Sequence, residues 1–166
     1  MMIYTAFPHS EPLGWMSSSA PECLLSENDQ FLIEILAALP QEDSQYTLNR
    51  KNLKWLYHWC GAYECVTTFN EVKYKQKYQN FQSRLQFLLC LWSENFFKPF
   101  DTIESSIEYL NNFPKIPFVV RLSSTKPGYI TVTRKNGKAF THTRYQLCAN
   151  SCMIINNLKI ELSSSA

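Results

Sequence analysis

The chain has 166 residues and a mass of 19.4 kDa, and 45% of the residues are apolar and 14% aromatic. This composition is sufficient for one well-filled hydrophobic core and excludes disorder for most of the chain. The longest apolar stretches fall far short of the roughly 18 residues that a transmembrane helix needs. No membrane span is therefore expected. The formal net charge is +2, from 16 basic and 14 acidic residues, which is unremarkable.

The small net charge hides an asymmetry along the chain. Residues 1–50 carry seven acidic and one basic residue, whereas residues 51–166 carry fifteen basic and seven acidic residues. No Asp or Glu lies between Glu108 and Glu161, and this interval contains eight Lys or Arg residues. A surface of one charge sign attracts an anion. A solvated basic face on a small sheet would show the same composition.

The first part of the chain is predicted to be an irregular lead-in followed by a helical linker. Residues 1–25 contain several prolines and a Ser run and show no hydrophobic period. Apolar residues then recur at helical spacing over residues 26–92. The expected helices run from Glu27 to Pro40, from a Thr47 cap to Gly61, and from near Asn70 to Trp92. Their apolar sides are expected to contain Phe31, Leu32, Ile35, Leu36 and Leu39, then Leu48, Leu53, Trp55, Leu56 and Trp59, then Val72, Tyr78, Phe81, Leu85, Leu88, Leu89 and Trp92.

Residues 93–166 are predicted to form an α+β domain with a small antiparallel sheet. A short helix with apolar Ile103, Ile107 and Leu110 should be capped by Asp101 or Thr102 and end before Pro114. The hydrophobic period then changes to two, which is typical of strands. The predicted strands are Phe118 to Leu122, Tyr129 to Arg134 and Ala139 to Leu147, with an Asn-Gly hairpin turn within Lys135 to Lys138. A last strand-like piece is predicted from Met153 to Leu162, with Asn156 and Asn157 as a turn.

Arg121 stands in the middle of an apolar strand, Phe-Val-Val-Arg-Leu. An unpaired guanidinium buried there would cost several kcal/mol. The sequence around it supplies no acidic residue, so either a distant Asp or Glu folds onto Arg121 or the partner is a ligand. Ser123, Ser124 and Thr125 follow directly and offer hydroxyl and backbone N–H donors of the kind that a phosphate requires.

His142 and Arg144 are two residues apart in the third predicted strand. Side chains at this spacing project from the same face. Three antiparallel neighbours could therefore direct Arg121, His142 and Arg144 to one place. The Lys-Pro-Gly sequence that begins at Lys126 closes the preceding turn without adding negative charge.

The segment from Ile103 to Leu147 resembles the central part of a Src homology 2 domain. The motifs that carry the resemblance are Phe-Val-Val-Arg-Leu-Ser-Ser-Thr-Lys-Pro-Gly, the Asn-Gly hairpin and Thr-His-Thr-Arg-Tyr, and Arg121 stands at the family's hallmark arginine. The resemblance implies binding of tyrosine-phosphorylated proteins or peptides. The residues it assigns to phosphotyrosine binding are Arg121, Ser123, Ser124, Thr125, Lys126, His142 and Arg144. The version found here is most like the domains of STAT-type proteins, amoebal dual-specificity kinases and bacterial effectors.

The chain departs from the family's pattern at both ends of the motif. An arginine usually opens the first helix, but here the helix opens with Asp101, so Lys98 or Lys115 is a hypothetical substitute. Residues 148–166 are predicted to be too few and too β-like for the family's second helix. This shortened end predicts recognition dominated by the phosphotyrosine, with little preference for the residues that follow it.

Two other functions are compatible with the same features of the sequence. The strongest alternative is a nucleic-acid-binding domain in which Tyr129 and Tyr145 stack on bases while basic side chains follow the phosphates. A structural adaptor with Arg121 paired to an internal acid is another possibility. The spacing around Cys60 fits neither a cysteine phosphatase nor a zinc site. No combination of nucleophile and base indicates catalysis, so the sequence predicts a binding module without enzyme activity, metal or cofactor.

Cysteines and the N-terminal sequence bear on the compartment. The six cysteines are expected to be reduced, because residues 1–15 contain no basic start followed by an apolar run, as a classical signal peptide would. We therefore expect a cytoplasmic monomer that binds neither nucleic acid nor membranes. If the resemblance to bacterial effectors holds, the working compartment is a host cytoplasm.

Overall fold

The computed structural model describes residues 29–40, 48–147 and 151–164, and within the last range it describes the side chains of residues 153–161. The predicted lead-in and the predicted Thr47 cap lie outside these residues. The chain divides into two compact units. The first ends at Trp92 and also contains the loop Ser124–Pro127, and the second contains the remaining residues from Ser93 onward.

The first unit is helical. Its helices are α1 (Gln30–Ala38), α2 (Arg50–Trp59), α3 (Ala62–Val66) and α4 (Glu71–Leu91). Asp29, Asn49 and Asn70 cap α1, α2 and α4 by accepting backbone N–H groups of the first turn. The predicted start near Asn70 is confirmed. Gly61 follows α2 with a φ of 90°, as the predicted stop requires, but the short helix α3 that begins after it was not predicted.

The core of the helical unit consists of the predicted apolar stripes. Leu32, Ile35, Leu53, Leu56, Trp59, Phe81 and Leu88 are all fully buried. Val72 and Leu89 were wrongly placed on the apolar side of α4, since they are 80% and 39% exposed. At 1.5 Å per residue, the 21 residues of α4 make it about twice as long as α1 and α2, which have 9 and 10 residues.

The second unit is an α+β structure with three antiparallel strands in the order β1, β2, β3. The strands are β1 (Phe118–Leu122), β2 (Tyr129–Asn136) and β3 (Ala139–Gln146). Along the chain they are preceded by α5 (Ile103–Asn112) and followed by α6 (Ser151–Ser164). Thr102 caps α5 through a reciprocal hydrogen-bond pair with Ser105. The three predicted strands and the Asn-Gly turn, where Gly137 has a φ of 64°, are confirmed to within two residues.

The edge of β1 that faces away from β2 is covered by the segment before α5. The Val120 N–H donates to the Phe96 carbonyl at 2.8 Å, and the Val120 carbonyl accepts from the Lys98 N–H at 2.8 Å. The Leu122 N–H donates to the Pro99 carbonyl at 3.0 Å. These bonds hold the start of α5 beside β1.

Helices lie on both faces of the sheet. The side chains of consecutive strand residues point to opposite faces of the sheet. The contacts of Arg134 and Lys135, which are neighbours in β2, therefore show which helix lies on each face. Lys135 Nζ donates to Asn111 Oδ1 of α5 at 3.0 Å. Arg134 donates to both carboxylate oxygens of Glu161 in α6, each at 2.9 Å. We refer to the side on which Arg121 and Lys135 lie as the α5 face and to the other as the α6 face.

The predicted strand from Met153 to Leu162 is wrong, because this segment belongs to α6. The apolar run at residues 153–155 and the alternating apolar residues at 158, 160 and 162 imitate a strand over short windows. The residues that are buried, Ile155 and Leu158, are instead three apart, as one side of a helix requires. Asn156 and Asn157 are exposed helical residues rather than a turn. The prediction that the segment after β3 is too β-like to form a helix is therefore also wrong.

None of the helices in the described residues is both long enough and apolar enough to span a bilayer. Cys60, Cys65 and Cys90 are free thiols. Burial raises the pKa of Cys60 to about 12 and that of Cys65 to about 11. The other three cysteines fall where no side chain is described.

Candidate functional site

Arg121 occupies the centre of β1, between the fully buried Val120 and Leu122. Only 7% of its surface is exposed, and its Nε atom is buried without a hydrogen-bond partner. Among the described residues no carboxylate forms an ion pair with the guanidinium. A charged group in this position is costly unless something pairs with it.

Two acidic residues lie within electrostatic range of Arg121 without an ion-pair contact. Burial lowers the pKa of the Arg121 guanidinium, while the charges of Asp101 and Glu104 act to raise it. Burial also raises the pKa of Asp101, against the opposing influence of Lys98, Ser105 and Arg121. Both acids stand at the start of α5, which the hydrogen bonds along β1 hold beside the strand. They compensate the Arg121 charge only in part.

The sheet register places Arg121 and Arg144 in one row across three strands. Arg121 pairs with Thr131, and Thr131 pairs with Arg144. Paired residues of an antiparallel sheet point to the same face, so both arginines and Thr131 lie on the α5 face. Arg144 is exposed, whereas Thr131 is 8% exposed. The positive charge of Arg144 acts to lower the pKa of Arg121, as expected for two guanidinium groups on one face.

His142 lies on the same face, in the next row. Val119 pairs with Thr133, and Thr133 pairs with His142. Thr133 is fully buried, and its Oγ1 lies 2.8 Å from His142 Nδ1 in a hydrogen bond. This bond fixes the orientation of an otherwise exposed imidazole. The structure thus brings Arg121, His142 and Arg144 to one face of the sheet, as their spacing predicts.

The hydroxyl-rich loop after β1 is divided between the two units. Ser123 is 3% exposed, belongs to the sheet unit, and donates its N–H to the Tyr129 carbonyl at 3.0 Å. Ser124, Thr125 and Lys126 belong to the unit that contains α1–α4. Ser124 is half-buried, and Thr125 and Lys126 are exposed.

Lys98 and Lys115, the hypothetical substitutes for the missing arginine, have different surroundings. Lys98 Nζ lies 4.6 Å from the centre of the Tyr109 ring, and its charge lowers the pKa of Asp101. Lys115 is exposed beyond the end of α5. Lys98 is therefore the substitute that lies near an acidic neighbour of Arg121.

No protein-family model, curated protein or solved structure matches this chain. The site is therefore interpreted from its own geometry and from the motifs in the sequence. Within the described part of the chain, no group of three or more His, Cys, Asp or Glu side chains is arranged to hold a metal ion.

Sequence analysis missed four contributors to this face. Asp101 and Glu104 were not expected near Arg121, because only the pairing of residues 96–99 with β1 brings the start of α5 there. Thr131 and Thr133 line the floor between the basic side chains. The alternation of these threonines with Ile130 and Val132 could have predicted this position, since it marks one face of β2 as polar.

The two tyrosines named for the nucleic-acid alternative lie on opposite faces of the sheet. Tyr129 pairs with Gln146, which places it on the α5 face. Tyr145 pairs with Ile130 and lies on the α6 face, so the two rings cannot stack on consecutive bases of one strand. Arg134, one of the basic side chains of the sheet, is paired with Glu161.

Proposed function

We propose that residues 93–166 form a non-enzymatic phosphotyrosine-binding module of the Src homology 2 type, preceded by a helical linker. The observation that carries this proposal is the state of Arg121. Its guanidinium is largely buried, its Nε has no hydrogen-bond partner, and two further basic side chains share its face. A doubly charged phosphate supplies what this group lacks.

Arg121 makes the central contacts with the phosphate in this proposal. Its planar fork of N–H donors matches two phosphate oxygens, and a charge-assisted hydrogen bond contributes about 1.5 to 3 kcal/mol. Arg144 adds charge at the exposed rim. His142, oriented by Thr133, contacts the phosphotyrosine ring. The loop residues Ser123, Ser124, Thr125 and Lys126 remain proposed ligands of the phosphate.

The expected affinity is modest. Ordering an extended peptide and losing its freedom of motion offset several kcal/mol of the contact energy. Asp101 and Glu104 reduce the affinity further, because their negative charges repel the negative charge of the incoming phosphate. A dissociation constant of about 1 μM, equivalent to about 8 kcal/mol, is the natural expectation.

Low sequence selectivity remains part of the proposal, although its first justification has failed. The sequence predicted it from the absence of a helix after β3, and α6 occupies that position. Glu161 ties α6 to the α6 face through Arg134, which is the face opposite Arg121. A peptide array that varies the residues after the phosphotyrosine tests this point, since a strong demand at one position would contradict it.

The proposed partners are tyrosine-phosphorylated proteins in a cytoplasm, or in a host cytoplasm if the chain is a bacterial effector. The free thiols of Cys60, Cys65 and Cys90 are compatible with a reducing compartment. The proposal implies no metal or cofactor, because the phosphate is held by side chains alone.

Fluorescence polarisation of the full chain with a phosphotyrosine peptide tests the proposal. The unphosphorylated peptide and a single-stranded oligonucleotide serve as comparison ligands. We expect binding of the phosphopeptide only, and a loss of at least tenfold in the R121K variant, because lysine keeps the charge but lacks the fork. The matched control is R134K, the same substitution on the α6 face, which should bind normally. Equal binding by R121K and R134K, or preferred binding of the oligonucleotide, would contradict the proposal.

A further inference from the structure

Phe69 is an exposed aromatic residue of the helical unit. It lies in the turn between α3 and α4, and 96% of its surface is exposed. Val66 and Val72, three residues before and after it, are 41% and 80% exposed. We refer to these three side chains as the apolar turn. Single exposed apolar residues are common in proteins, whereas several in one short segment indicate a contact surface.

Hydrogen bonds hold the apolar turn in place from both sides. The hydroxyls of Thr67 and Thr68 donate to carbonyls of α3 at 2.9 and 2.6 Å. On the other side, Asn70 Oδ1 accepts the Lys73 N–H at 3.0 Å and thereby caps α4. Phe69 is thus presented to the solvent by a turn whose two ends are fixed.

Phe69 does not stabilise the helix that follows it. A hydrophobic residue directly before a helix cap often packs against the fourth residue of the helix. The fourth residue of α4 is Tyr74, which stacks on Tyr78 instead, with the ring centroids 6.2 Å apart. Phe69 leaves its ring in the solvent, so this apolar surface remains for a partner.

The charge beside the apolar turn is net positive. Lys73 and Lys75 are exposed, and among the described residues no ion pair engages either of them. Lys77, one turn further along α4, lies 3.8 Å from Glu64, and the charges of this pair cancel. Glu71, in the first turn of α4, opposes the two exposed lysines with a single negative charge.

We propose that the apolar turn inserts into the surface of an anionic lipid bilayer, with Lys73 and Lys75 against the lipid headgroups. Aromatic rings are favoured at the boundary between headgroups and acyl chains, and each lysine near an anionic surface strengthens binding about fivefold. The contact is independent of the proposed phosphotyrosine site. The sequence predicts no membrane binding because it lacks a long apolar stretch, but a peripheral contact needs only a small apolar surface and basic side chains.

The observations favour a lipid surface over a protein partner. A second copy of the chain would bring Lys73 and Lys75 of both copies together, and charges of like sign repel each other. Residues 48–92 carry seven basic and two acidic residues, which also favours an anionic partner. An acidic protein would need a pocket shaped for Phe69, whereas a fluid bilayer accepts the ring without one.

Vesicle flotation with the full chain tests the apolar part of the contact. Vesicles of phosphatidylcholine alone are compared with vesicles that also contain phosphatidylserine. We expect binding that is at least tenfold stronger with phosphatidylserine, and a loss of at least fivefold in F69S, because the ring is no longer buried. The matched control is F113S, which removes a Phe that is 51% exposed in the other unit and should leave vesicle binding unchanged.

A second pair of variants tests the basic part. K73Q/K75Q removes both exposed lysines and should weaken binding to the mixed vesicles more than tenfold. R50Q/K138Q removes the same net charge at two other exposed positions and should weaken binding much less. An equal loss in both variants would show a diffuse attraction without a defined contact and would refute the proposal.

Fluorescence quenching measures insertion directly. F69W keeps an aromatic ring at the apolar turn, and F113W places the same ring in the other unit. Vesicles with brominated acyl chains quench a tryptophan only when it reaches the hydrocarbon boundary. After subtraction of the wild-type signal, we expect quenching in F69W and none in F113W.

The outcomes separate this inference from the proposed function. The phosphate of a lipid headgroup is also a ligand for Arg121, so R121K is tested on the same vesicles and should bind them like the wild-type chain. If R121K loses vesicle binding, the headgroup is held at the candidate site and the inference is wrong. Absent vesicle binding, or equal binding by F69S and F113S, refutes the inference without affecting the phosphopeptide result. A dimer in analytical ultracentrifugation that F69S dissociates would assign the apolar turn to a second copy and refute it as well.

Discussion

Acid should destabilise the helical unit through one buried histidine. His58 of α2 is 6% exposed, and burial, with a smaller contribution from the Lys54 charge, lowers its pKa from 6.5 to about 4. The folded chain therefore binds fewer protons than the unfolded chain between pH 4 and pH 6.5. Stability is fully present above pH 6.5 and falls as the pH drops through this window.

The expected magnitude follows from the shift. With 1.36 kcal/mol per pKa unit, the cost of keeping His58 neutral is about 2 kcal/mol at pH 5 and about 3 kcal/mol at pH 4. For a domain of this size, 2 kcal/mol corresponds to a fall in Tm of about 4 to 8 °C. The loss of stability should appear in the circular dichroism signal of the helices, because His58 packs within the helical unit against the Tyr57 and Tyr63 rings.

Urea unfolding followed by circular dichroism at pH 7 and pH 5 measures this effect. The H58Q variant cannot titrate at this position, so the difference in unfolding free energy between the two pH values should shrink by about 2 kcal/mol. H142Q, which removes an exposed imidazole of β3, controls for the loss of a histidine as such. Because only the pH dependence is compared, a general destabilisation by H58Q does not matter. An unchanged difference in H58Q would refute the reasoning.

Three further substitutions test other parts of the structure. D101N removes a carboxylate whose charge acts on Arg121, and it should tighten phosphopeptide binding up to about fivefold. This magnitude follows because a partly exposed charge pair contributes up to about 1 kcal/mol. Weaker binding in a titration would contradict this expectation. E161Q removes the negative charge and one of the two oxygens that accept from Arg134, and should raise amide exchange in α6 while leaving β1 protected. G61A forces a side chain into a φ of 90° and should cost about 1 to 2 kcal/mol in urea unfolding, whereas an unchanged midpoint would show that this turn relaxes.

The strands around Arg121 could be predicted because their signals are local. Alternating apolar residues and an Asn-Gly turn fix both the strand limits and the register of the hairpin. Once the register is known, the common face of Arg121, His142 and Arg144 follows from the period of two. The sequence thus predicted the basic part of the candidate site well.

The error in α6 has a different origin. Six apolar residues in this segment satisfy both short strand windows and helical spacing, and only contact with the sheet decides between them. Glu161 supplies one such contact by pairing with Arg134, which is 27 positions earlier in the chain. Long-range pairs of this kind leave no trace in local periodicity.

The acidic neighbours of Arg121 were missed for the same reason, and they change the argument about its charge. A guanidinium stays charged in proteins, so its burial is costly, and the charges of Asp101 and Glu104 act against the effect of burial on Arg121. Because they act from beyond ion-pair distance, they offset part of the cost of burying the Arg121 charge while leaving its N–H donors for another acceptor. A carboxylate in direct contact would occupy those donors and turn the site into a structural salt bridge. The distance between these acids and Arg121 is therefore what leaves a binding function open to this strand.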